Sequence, residues 1–286
     1  MLTSKTKTLC IIGNPIEHSM SVTMHNAAIQ NLGIDYLYVA FNVFPIDLPN
    51  AINGFRSLNI KGASVTIPHK ISAMKYLDKI EPMAKNIGAI NTIKNDNGIL
   101  IGRNTDGEGF LKSIKESGYN LKNKKIVLFG AGGAARACAF YLAKEVNKIT
   151  IINRSNTGMN DLISKLKANY KISIKGINLS KSEDIKKEIK ESDMIVNTTP
   201  VGMYPNVNES PVKQSWMHPN LFVVDIIYSP IQTKLLQEAS SIGCNVLSGV
   251  DMLVNQGIIA FEWWTGVSPD KKLMKQVVLN ELEKLK

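Results

Sequence analysis

The stretch that decides the fold is residues 124–144, KKIVLFGAGGAARACAFYLAK. Residues 126–129 form an uninterrupted apolar run, and the absence of alternating polar residues is typical of a strand buried in a parallel sheet. Glycines follow at 130, 132 and 133, and then comes a run rich in alanine and leucine with helical character. A strand, a glycine turn and a helix in this order predict a dinucleotide-binding unit.

The small residues of this turn each have a physical role in that prediction. Gly130 allows a tight turn out of the strand, and Gly132 lets backbone N–H groups approach a pyrophosphate. Ala135 lets the helix pack close to the sheet, and the helix N-terminus offers partial positive charge to the phosphates. A Gly-x-Gly-x-x-Ala pattern alone occurs in many loops, so the prediction depends on its place between a strand and a helix.

The end of the next strand indicates which dinucleotide is bound. Residues 148–153, KITIIN, form a second apolar strand, and an NAD-specific site would carry an acid near its end to hold the ribose diol. Asn153, Arg154 and Ser155 stand there instead. A carboxylate would repel a 2′-phosphate, whereas a guanidinium can bind one through two hydrogen bonds. NADP is therefore favoured, and the alternative is that Arg154 is a solvent-exposed arginine after a strand.

Length and composition bound the class of protein. The chain has 286 residues, enough for two domains of roughly 150 residues each. Its 44% of hydrophobic and 20% of charged residues are ordinary for a soluble globular protein. The net charge of +10 comes from scattered lysines without a nucleic-acid motif. We interpret it as solvated surface with some attraction for an anionic substrate and cofactor.

Cysteine and histidine usage argues against two further classes. The three cysteines lie far apart in apolar runs, which favours a reducing compartment over a disulfide framework. The four histidines lack the spacing of metal ligands, so no metal is expected. No apolar run approaches the roughly 18 residues of a membrane span, and the N-terminus has no signal-peptide pattern. The predicted location is cytoplasmic.

Two serines follow the first predicted strand. Residues 8–13, TLCIIG, predict that strand, and the loop after it carries Ser19 and Ser21 ahead of a helix. Serine before a helix commonly caps it. Two hydroxyls beyond a strand end could also bind a carboxylate, and the residues alone leave these two roles evenly open.

A second polar cluster follows a strand predicted at residues 62–67. Pro68 closes that strand because it cannot donate to a following ladder. Thr66, His69 and Lys70 therefore gather at a strand end, where alternating α/β folds place binding groups. The competing interpretation is that Lys70 is an ordinary surface lysine.

The remaining N-terminal elements alternate between strand and helix. They are a strand at 35–43, helices at 48–58 and 71–87, the second interrupted at Pro82, and a hairpin of residues 88–93 and 99–103. An Asn-Gly turn joins the two hairpin strands. Asp106 comes next, where it could be the plain N-cap of a helix at 109–117.

Apolar runs separated by helical stretches continue through the C-terminal half. The predicted strands are 171–176, 194–198, 222–227 and 245–247, with helices ending near 168 and spanning 182–191. This alternation predicts a doubly wound parallel sheet. From residue 251 a helix is apolar on most faces except at Gln256, and a buried glutamine must be hydrogen-bonded. This helix and a last one, opened by residues 268–270, are predicted to return to the first domain.

Nine motifs, in order, resemble the shikimate dehydrogenase family over almost the full length of the chain. They are GNPIEHSMS (13–21), VTIPHK (65–70), GAINTI (88–93), NTDG (104–107), GAGGAAR (130–136), NRS (153–155), NTTPVGM (197–203), DIIYSP (225–230) and GVDMLVNQG (249–257). The resemblance implies an α/β protein with an N-terminal substrate domain, a Rossmann-like doubly wound NADP-binding domain, and an active-site cleft between them. The implied domains are residues 1–105 with 250–286 for the substrate and residues 106–249 for NADP.

The resemblance also implies roles for individual residues. Ser19 and Ser21 would hold the substrate carboxylate. The ring hydroxyls would be hydrogen-bonded by Thr66, Asn91, Asp106 and Gln256, with Tyr228 close by. Lys70 and Asp106 would be the catalytic pair. The cofactor would be lined by Gly130, Ala131, Gly132, Gly133, Ala134, Asn153, Arg154, Ser155, Asn156, Thr157, Gly158, Thr198, Ile226 and Gly249.

Position 158 departs from the family pattern. Family members often carry a second basic residue a few positions after the first, and this chain has Gly158 there. Arg154 would then bind the 2′-phosphate without that help, and the preference for NADP over NAD would be weaker than usual.

The implied activity is the reversible, NADPH-dependent reduction of 3-dehydroshikimate to shikimate in chorismate and aromatic amino-acid biosynthesis. Reducing a ketone requires a hydride at the carbonyl carbon and a proton for the developing alkoxide. A protonated lysine beside the oxygen stabilises that charge and can donate the proton. Lys70 is therefore expected to act as a charged donor near neutral pH, oriented by Asp106.

Two alternative functions remain open. A family relative that prefers quinate or NAD would differ by one hydroxyl contact and by the ribose site, and Arg154 leans against NAD. The other alternative is a non-catalytic, ligand-sensing protein on the same fold, against which the intact Lys70–Asp106 pair and the glycine turn argue. The expected partner is a small-molecule substrate, without nucleic acid or membrane, and a homodimer is the assembly considered.

Overall fold

The structure is a computed structural model that describes residues 2–284. The chain divides into two compact units. The first holds residues up to Gly109 together with those from Val254 onward, and the second holds Phe110–Leu253. Both divisions lie four residues beyond the predicted ones, and both fall inside helices that continue across them.

The first unit is built on a mixed six-stranded sheet. Its strands are β1 (Lys7–Gly13), β2 (Tyr36–Asn42), β3 (Gly62–Val65), β4 (Lys79–Ile80), β5 (Thr92–Asp96) and β6 (Ile99–Arg103), in the order β2-β1-β3-β5-β6-β4. Its helices are α1 (Ser21–Leu32), α2 (Leu48–Ser57), α3 (Pro82–Ile87) and the start of α4 (Asp106–Glu116). Strands β1, β2 and β3 are parallel, so their carboxyl ends lie at one edge of the sheet.

The predicted hairpin is confirmed. β5 and β6 pair antiparallel around Asn97 and Gly98, whose φ angles of 51° and 91° are both positive. Asn and Gly tolerate this conformation, which a two-residue hairpin turn requires. The Asn95 side chain accepts the Gly98 N–H at 2.8 Å and closes the turn.

The helix predicted at residues 71–87 is wrong for most of its length. The segment forms a short 3₁₀ turn at Ser72–Tyr76, then strand β4, and only then helix α3. Pairing with β6, Lys79 opposite Ile101 and Ile80 opposite Gly102, overrides the local helical pattern. Pro82 occupies the first turn of α3, where its missing N–H costs nothing.

The second unit confirms the doubly wound parallel sheet. Its strands are β7 (Lys125–Phe129), β8 (Lys148–Asn153), β9 (Ser173–Asn178), β10 (Met194–Asn197), β11 (Phe222–Asp225) and β12 (Asn245–Leu247), in the order β12-β11-β10-β7-β8-β9. Every pairing in it is parallel. The helices are α5 (Gly133–Leu142), α6 (Asn156–Asn169), α7 (Ser182–Lys190) and α8 (Lys234–Ser241). The order reverses beside β7, which is where this fold binds dinucleotides.

Several predicted boundaries shift by a few residues, among them that of the first hairpin strand, which is β5 at Thr92–Asp96 rather than residues 88–93. Helix α4 begins at Asp106 rather than residue 109, and α6 begins at Asn156, within the polar residues 155–160. Strand β9 begins at Ser173 rather than residue 171 and extends to Asn178. The last shift places an asparagine directly at the carboxyl end of the sheet.

The last two helices are α9 (Gly249–Thr265) and α10 (Lys271–Glu283). The Asp270 side chain caps α10 by accepting the N–H groups of Lys272 and Leu273. Helix α10 packs against α1, and the C-terminal part of the chain belongs to the first unit. Among the described residues, every helix is too short or too polar to span a bilayer.

Candidate active site

Lys70 lies in a loop held by backbone and histidine hydrogen bonds. The His69 N–H donates to the Thr66 carbonyl at 2.8 Å, and the His69 ring Nε2 donates to the Val43 carbonyl at 2.7 Å. The Lys70 carbonyl accepts the Ile90 N–H at 2.8 Å. The loop after β3 is thus fixed at both ends, and the Lys70 side chain is only 17% exposed.

The Lys70 ammonium forms an ion pair with Asp106. Its Nζ donates to Asp106 Oδ2, and the Asp106 side chain is 7% exposed. Asp106 does not have to cap α4, because the Asn104 Oδ1 accepts the N–H groups of Asp106 and Gly107 at 3.1 and 3.4 Å. The carboxylate is therefore available to Lys70. Asn104 belongs to the N-cap-like cluster of residues 104–107 that the sequence places ahead of this helix.

Asn91 joins Asp106 to Gln256. Its Nδ2 donates to Asp106 Oδ1 at 2.8 Å and to Gln256 Oε1 at 3.2 Å. Its Oδ1 accepts the Thr105 N–H at 2.7 Å and the Thr92 hydroxyl at 3.0 Å. The structure thus gathers four of the predicted residues, Lys70, Asn91, Asp106 and Gln256, and adds Thr105, which the sequence did not single out.

Close packing of two helices brings Gln256 to this cluster. A Cβ built on Gly109 of α4 would lie 2.5 Å from the Gln256 backbone nitrogen of α9. Only glycine at position 109 leaves room for this approach. Both residues belong to the first unit.

The predicted hydroxyl residues lie at the start of α1 and just beyond β3. Ser21 is the first residue of α1, and its N–H donates to the Ser19 Oγ at 3.4 Å. Met20 occupies the N-cap position, and within residues 2–284 its side chain makes no capping bond. Thr66 follows β3 and donates its N–H to the Ile12 carbonyl at 3.0 Å. Ile12 pairs with Val65 in parallel register, so Thr66 lies beside the carboxyl end of β1.

The glycine turn of the second unit fits a dinucleotide. Gly130 has φ +112°, and a Cβ there would lie 2.5 Å from the Thr198 hydroxyl. A Cβ built on Gly132 would meet no described atom within 4 Å, so the turn is open at that point. Ala135 is fully buried, as the close packing of α5 on the sheet requires. Helix α5 begins at Gly133, and among the described residues no side chain caps it, so its first N–H groups are available to a phosphate.

Arg154 is exposed immediately after β8, beside the start of α6. The Ser155 hydroxyl makes no capping bond to α6 within the described part of the chain. Gly158 lies in the first turns of α6, and a Cβ built there would lie 3.9 Å from the Cβ of Ala131. The structure therefore brings the Arg154 segment next to the glycine turn.

Ile226 and Gly249, two further residues predicted to line the cofactor, lie against each other. A Cβ on Gly249 would collide with the Ile226 carbonyl, and the Gly249 N–H donates to the Ile227 carbonyl at 3.1 Å. Tyr228 lies in the same segment after β11 and is half-buried. The predicted residues Ala131, Gly133, Ala134, Asn156 and Thr157 lie on the glycine turn or the first turns of α5 and α6.

Asp225, which lies at the end of β11, was given no role in the sequence analysis. It is fully buried and accepts hydrogen bonds from the Thr233 hydroxyl, the Asn197 amide and the Ile227 N–H, at 2.7, 3.1 and 3.1 Å. Burial raises the pKa of this carboxyl to about 6, although the three donors lower it in part. An acid ending an apolar run is the signal that could have identified it.

A Rossmann-type sheet with an open glycine turn, together with a partly buried lysine–carboxylate pair, defines a dinucleotide-dependent oxidoreductase. Family models agree with that class. Residues 11–93 match the shikimate dehydrogenase substrate binding domain, residues 112–238 match shikimate/quinate 5-dehydrogenase, and residues 249–279 match the shikimate 5′-dehydrogenase C-terminal domain.

Known proteins resemble the chain over its whole length. The NADP⁺ shikimate dehydrogenase of Methanococcus vannielii is 45% identical over 99% of this chain and 100% of its own. The crystal structure of a shikimate dehydrogenase in complex with NADP⁺ is 44% identical, with a TM-score of 0.91 over 99% of this chain and 98% of its own. The shikimate 5-dehydrogenase of Listeria monocytogenes, solved with shikimate and NAD, is 37% identical, with a TM-score of 0.90 over 97% and 98%. The chain belongs to the shikimate dehydrogenase family, with an N-terminal substrate-binding domain and a Rossmann-like NADP-binding domain.

Proposed function

We propose that this chain catalyses the reversible reduction of 3-dehydroshikimate to shikimate with NADPH, a step of chorismate and aromatic amino-acid biosynthesis. The observation that carries the proposal is the partly buried Lys70–Asp106 pair, joined by Asn91 to Gln256. Full-length relatives named as NADP⁺ shikimate dehydrogenases support it.

The polar cluster of the first unit suits a small polyhydroxylated acid. Asn91, Asp106 and Gln256 would hydrogen-bond ring hydroxyls, together with Thr66. Ser19 and Ser21, at the start of α1, would donate their hydroxyls to the substrate carboxylate. The Asn91 amide donates to both Asp106 and Gln256, so it would hold these two side chains in place for the substrate.

Lys70 and Asp106 would form the catalytic pair. When bound, NADPH supplies the hydride for the carbonyl carbon of the substrate. The Lys70 ammonium would stand beside the carbonyl oxygen, stabilise the developing negative charge and donate the proton to it. Asp106 would orient Lys70 through Oδ2 while Asn91 holds its Oδ1.

The second unit would hold NADP at three places. The glycine turn and the first turn of α5 would bind the pyrophosphate. Arg154, with the Ser155, Asn156 and Thr157 segment, would bind the 2′-phosphate. Thr198, Ile226 and Gly249, at the carboxyl ends of the neighbouring strands, would line the rest of the cofactor.

The test is an assay of the purified chain. Loss of NADPH absorbance with 3-dehydroshikimate, and NADP reduction with shikimate, are the expected results. Equal turnover with quinate or NAD would instead assign the chain to the relaxed-specificity alternative, which the NAD complex of the Listeria relative makes worth measuring. Tight binding of shikimate without turnover would contradict catalysis and favour a ligand-sensing role.

We further propose a cytoplasmic location. The three thiols Cys10, Cys138 and Cys244 are buried and free, as a reducing compartment would keep them. The homodimer stays a prediction, and sedimentation of the purified chain would check it.

A further inference from the structure

The side chain of Asn178 ties together the segment that carries Arg154. Asn178 is the last residue of β9 and pairs in register with Asn153, the last residue of β8. Its Nδ2 donates to the Arg154 carbonyl at 3.0 Å and to the Asn156 Oδ1 at 2.8 Å. Its Oδ1 accepts the N–H and the hydroxyl of Ser180 at 3.0 and 2.8 Å. Both donors and both acceptor positions of this amide are therefore used.

A second asparagine holds the neighbouring carbonyl. Asn153 Nδ2 donates to the Ser155 carbonyl at 2.9 Å. The two consecutive carbonyl oxygens of Arg154 and Ser155 are thus bound by side-chain amides. A carbonyl oxygen turned toward a phosphate would repel it, whereas N–H groups and a guanidinium attract it.

The start of α6 supplies such N–H groups. The helix begins at Asn156, and the first N–H groups of a helix have no partner within it. With the carbonyls of Arg154 and Ser155 anchored on amides, these N–H groups and the exposed Arg154 guanidinium are left for an anion. The conformation of residues 154–156 therefore sets the affinity of this segment for a 2′-phosphate.

We propose that Asn178 is a positioning residue for recognition of the 2′-phosphate of NADP. By holding the Arg154 carbonyl and the Asn156 side chain, it sets the conformation of the turn that presents the Arg154 guanidinium. The proposal rests on the proposed function, which places the 2′-phosphate at Arg154. Asn178 acts through this turn, so its removal lowers the discrimination between NADP and NAD rather than the rate of chemistry.

A purely local role can be separated from this one. The bonds to Ser180 alone would make Asn178 a turn residue of the β9–α7 connection. Those bonds use the acceptor oxygen, whereas the bonds to Arg154 and Asn156 use the donor nitrogen. Because position 158 is a glycine and adds no second cation, the selectivity for NADP over NAD depends on how the turn presents Arg154.

The experiment compares two probes that differ by the 2′-phosphate. Binding of 2′,5′-ADP and of 5′-AMP to the full chain is measured by calorimetry, together with the kcat/KM ratio for NADP over NAD. Asn178→Ala is expected to weaken 2′,5′-ADP binding about fivefold to tenfold, the size expected for two neutral hydrogen bonds. Binding of 5′-AMP and the KM for shikimate are expected to stay within about twofold.

Two variants control for the turn and for the helix. Ser180→Ala removes one bond to the acceptor oxygen of Asn178. It should leave the ratio of the affinities for 2′,5′-ADP and 5′-AMP, called the probe ratio below, unchanged. Asn169→Ala removes an amide that donates to the Lys165 carbonyl at the other end of α6, and should do the same. Thermal melting of each variant shows that it is folded.

Arg154→Ala separates failure of this inference from failure of the site assignment. If Arg154→Ala leaves the probe ratio unchanged, the 2′-phosphate does not bind at Arg154. The assignment of the 2′-phosphate site and the positioning role of Asn178 then both fail. If Arg154→Ala lowers the ratio but Asn178→Ala does not, or if Asn178→Ala weakens both probes equally, only the positioning role is overturned. If Asn178 acts through Arg154, the double variant Arg154→Ala/Asn178→Ala should lose less 2′,5′-ADP binding free energy than the sum of the two single losses, since both residues act on one turn.

Discussion

The carboxylate of Asp106 shows how a single side chain becomes available for chemistry. At a helix start, an aspartate would ordinarily be occupied by backbone N–H groups. Asn104 takes two of these N–H groups, and the Asp106 carboxylate pairs with Lys70 and Asn91 instead. The ion pair is thus a consequence of capping by a different residue.

Lys70→Met is expected to lower kcat by at least about 100-fold while changing the KM for shikimate by less than about threefold. Removing the ammonium removes a donor that is needed only when negative charge develops on the substrate oxygen. Steady-state kinetics in both directions measures the effect. Lys75→Met, at an exposed lysine of the same loop region, is the matched control and should behave like wild type. A Lys70→Met variant that retains most of its kcat would remove Lys70 from the chemistry.

At the scale of elements, the crossing of α4 and α9 sets the distance between Asn91 and Gln256. Gly109 lets the Gln256 backbone approach, and the Asn91 Nδ2 then reaches Gln256 Oε1 at 3.2 Å. This bond joins residues far apart in the chain, and it depends on the absence of one Cβ.

Gly109→Ala is expected to destabilise the fold by about 1–3 kcal/mol, because the added Cβ would lie 2.5 Å from a backbone nitrogen and force the helices apart. The KM for shikimate should rise as Gln256 moves away. Gly54→Ala in α2 is the control, because a Cβ there would meet no described atom within 4 Å. That variant should gain about 0.5–1 kcal/mol from its better helix propensity. Urea unfolding that shows equal effects for the two variants would contradict the close crossing.

Helix α7 is anchored to the sheet of the second unit by Glu188. Burial of the Glu188 carboxyl would by itself raise its pKa, but hydrogen bonds from Lys175, Thr150 and Lys148 outweigh this and lower the pKa to about 2. The folded state therefore binds fewer protons than the unfolded chain between about pH 4.5 and pH 2. The stabilisation is fully present above about pH 4.5 and is lost as the pH falls toward 2.

Glu188→Gln should lower the free energy of unfolding by about 2 kcal/mol at neutral pH, because it leaves two lysines without their carboxylate partner. The difference from wild type should shrink as the pH falls from about 4.5 toward 2, since the unfolded wild-type chain then binds a proton at Glu188 that the folded state does not. Urea unfolding across this pH range measures it. Glu183→Gln, at a largely exposed position of the same helix, should have almost no effect. A constant difference at every pH would show that the charge of Glu188 is not the cause.

At the scale of the whole molecule, two ligands should protect two different sets of backbone amides. The candidate substrate residues other than Tyr228 belong to the first unit, whereas the glycine turn, Arg154 and Gly249 belong to the second. A ligand slows hydrogen exchange first where it contacts the chain.

In hydrogen exchange followed by mass spectrometry, NADP alone should slow exchange in residues 130–136 and 153–158. Shikimate alone should slow exchange in residues 66–70 and 104–107. Residues 160–169 in the distal part of α6 serve as an internal control and should not change with shikimate. Protection of residues 66–70 by NADP alone, without protection of the glycine turn, would contradict the assignment of the two units.

The sequence by itself determined the second sheet and its glycine turn. Largely apolar runs such as residues 126–129 and 149–152 are buried on both faces, and such runs can be recognised from a short stretch of sequence. Gly130 was predictable for the same reason, because a tight turn leaving a strand requires its positive φ. Lys70 and Asp106 were candidates from their strand-end and helix-start positions, and the family motifs added their roles.

Only the tertiary structure decided which side chains meet. Strand β4 has two residues and no periodicity of its own, so its existence depends on pairing with β6. The same holds for Asn178, which lies 24 residues from Arg154, and for Asn91, which lies 165 residues from Gln256. Hydrogen bonds between such distant residues leave no local pattern, because their energy is gained only after the elements that carry them have packed.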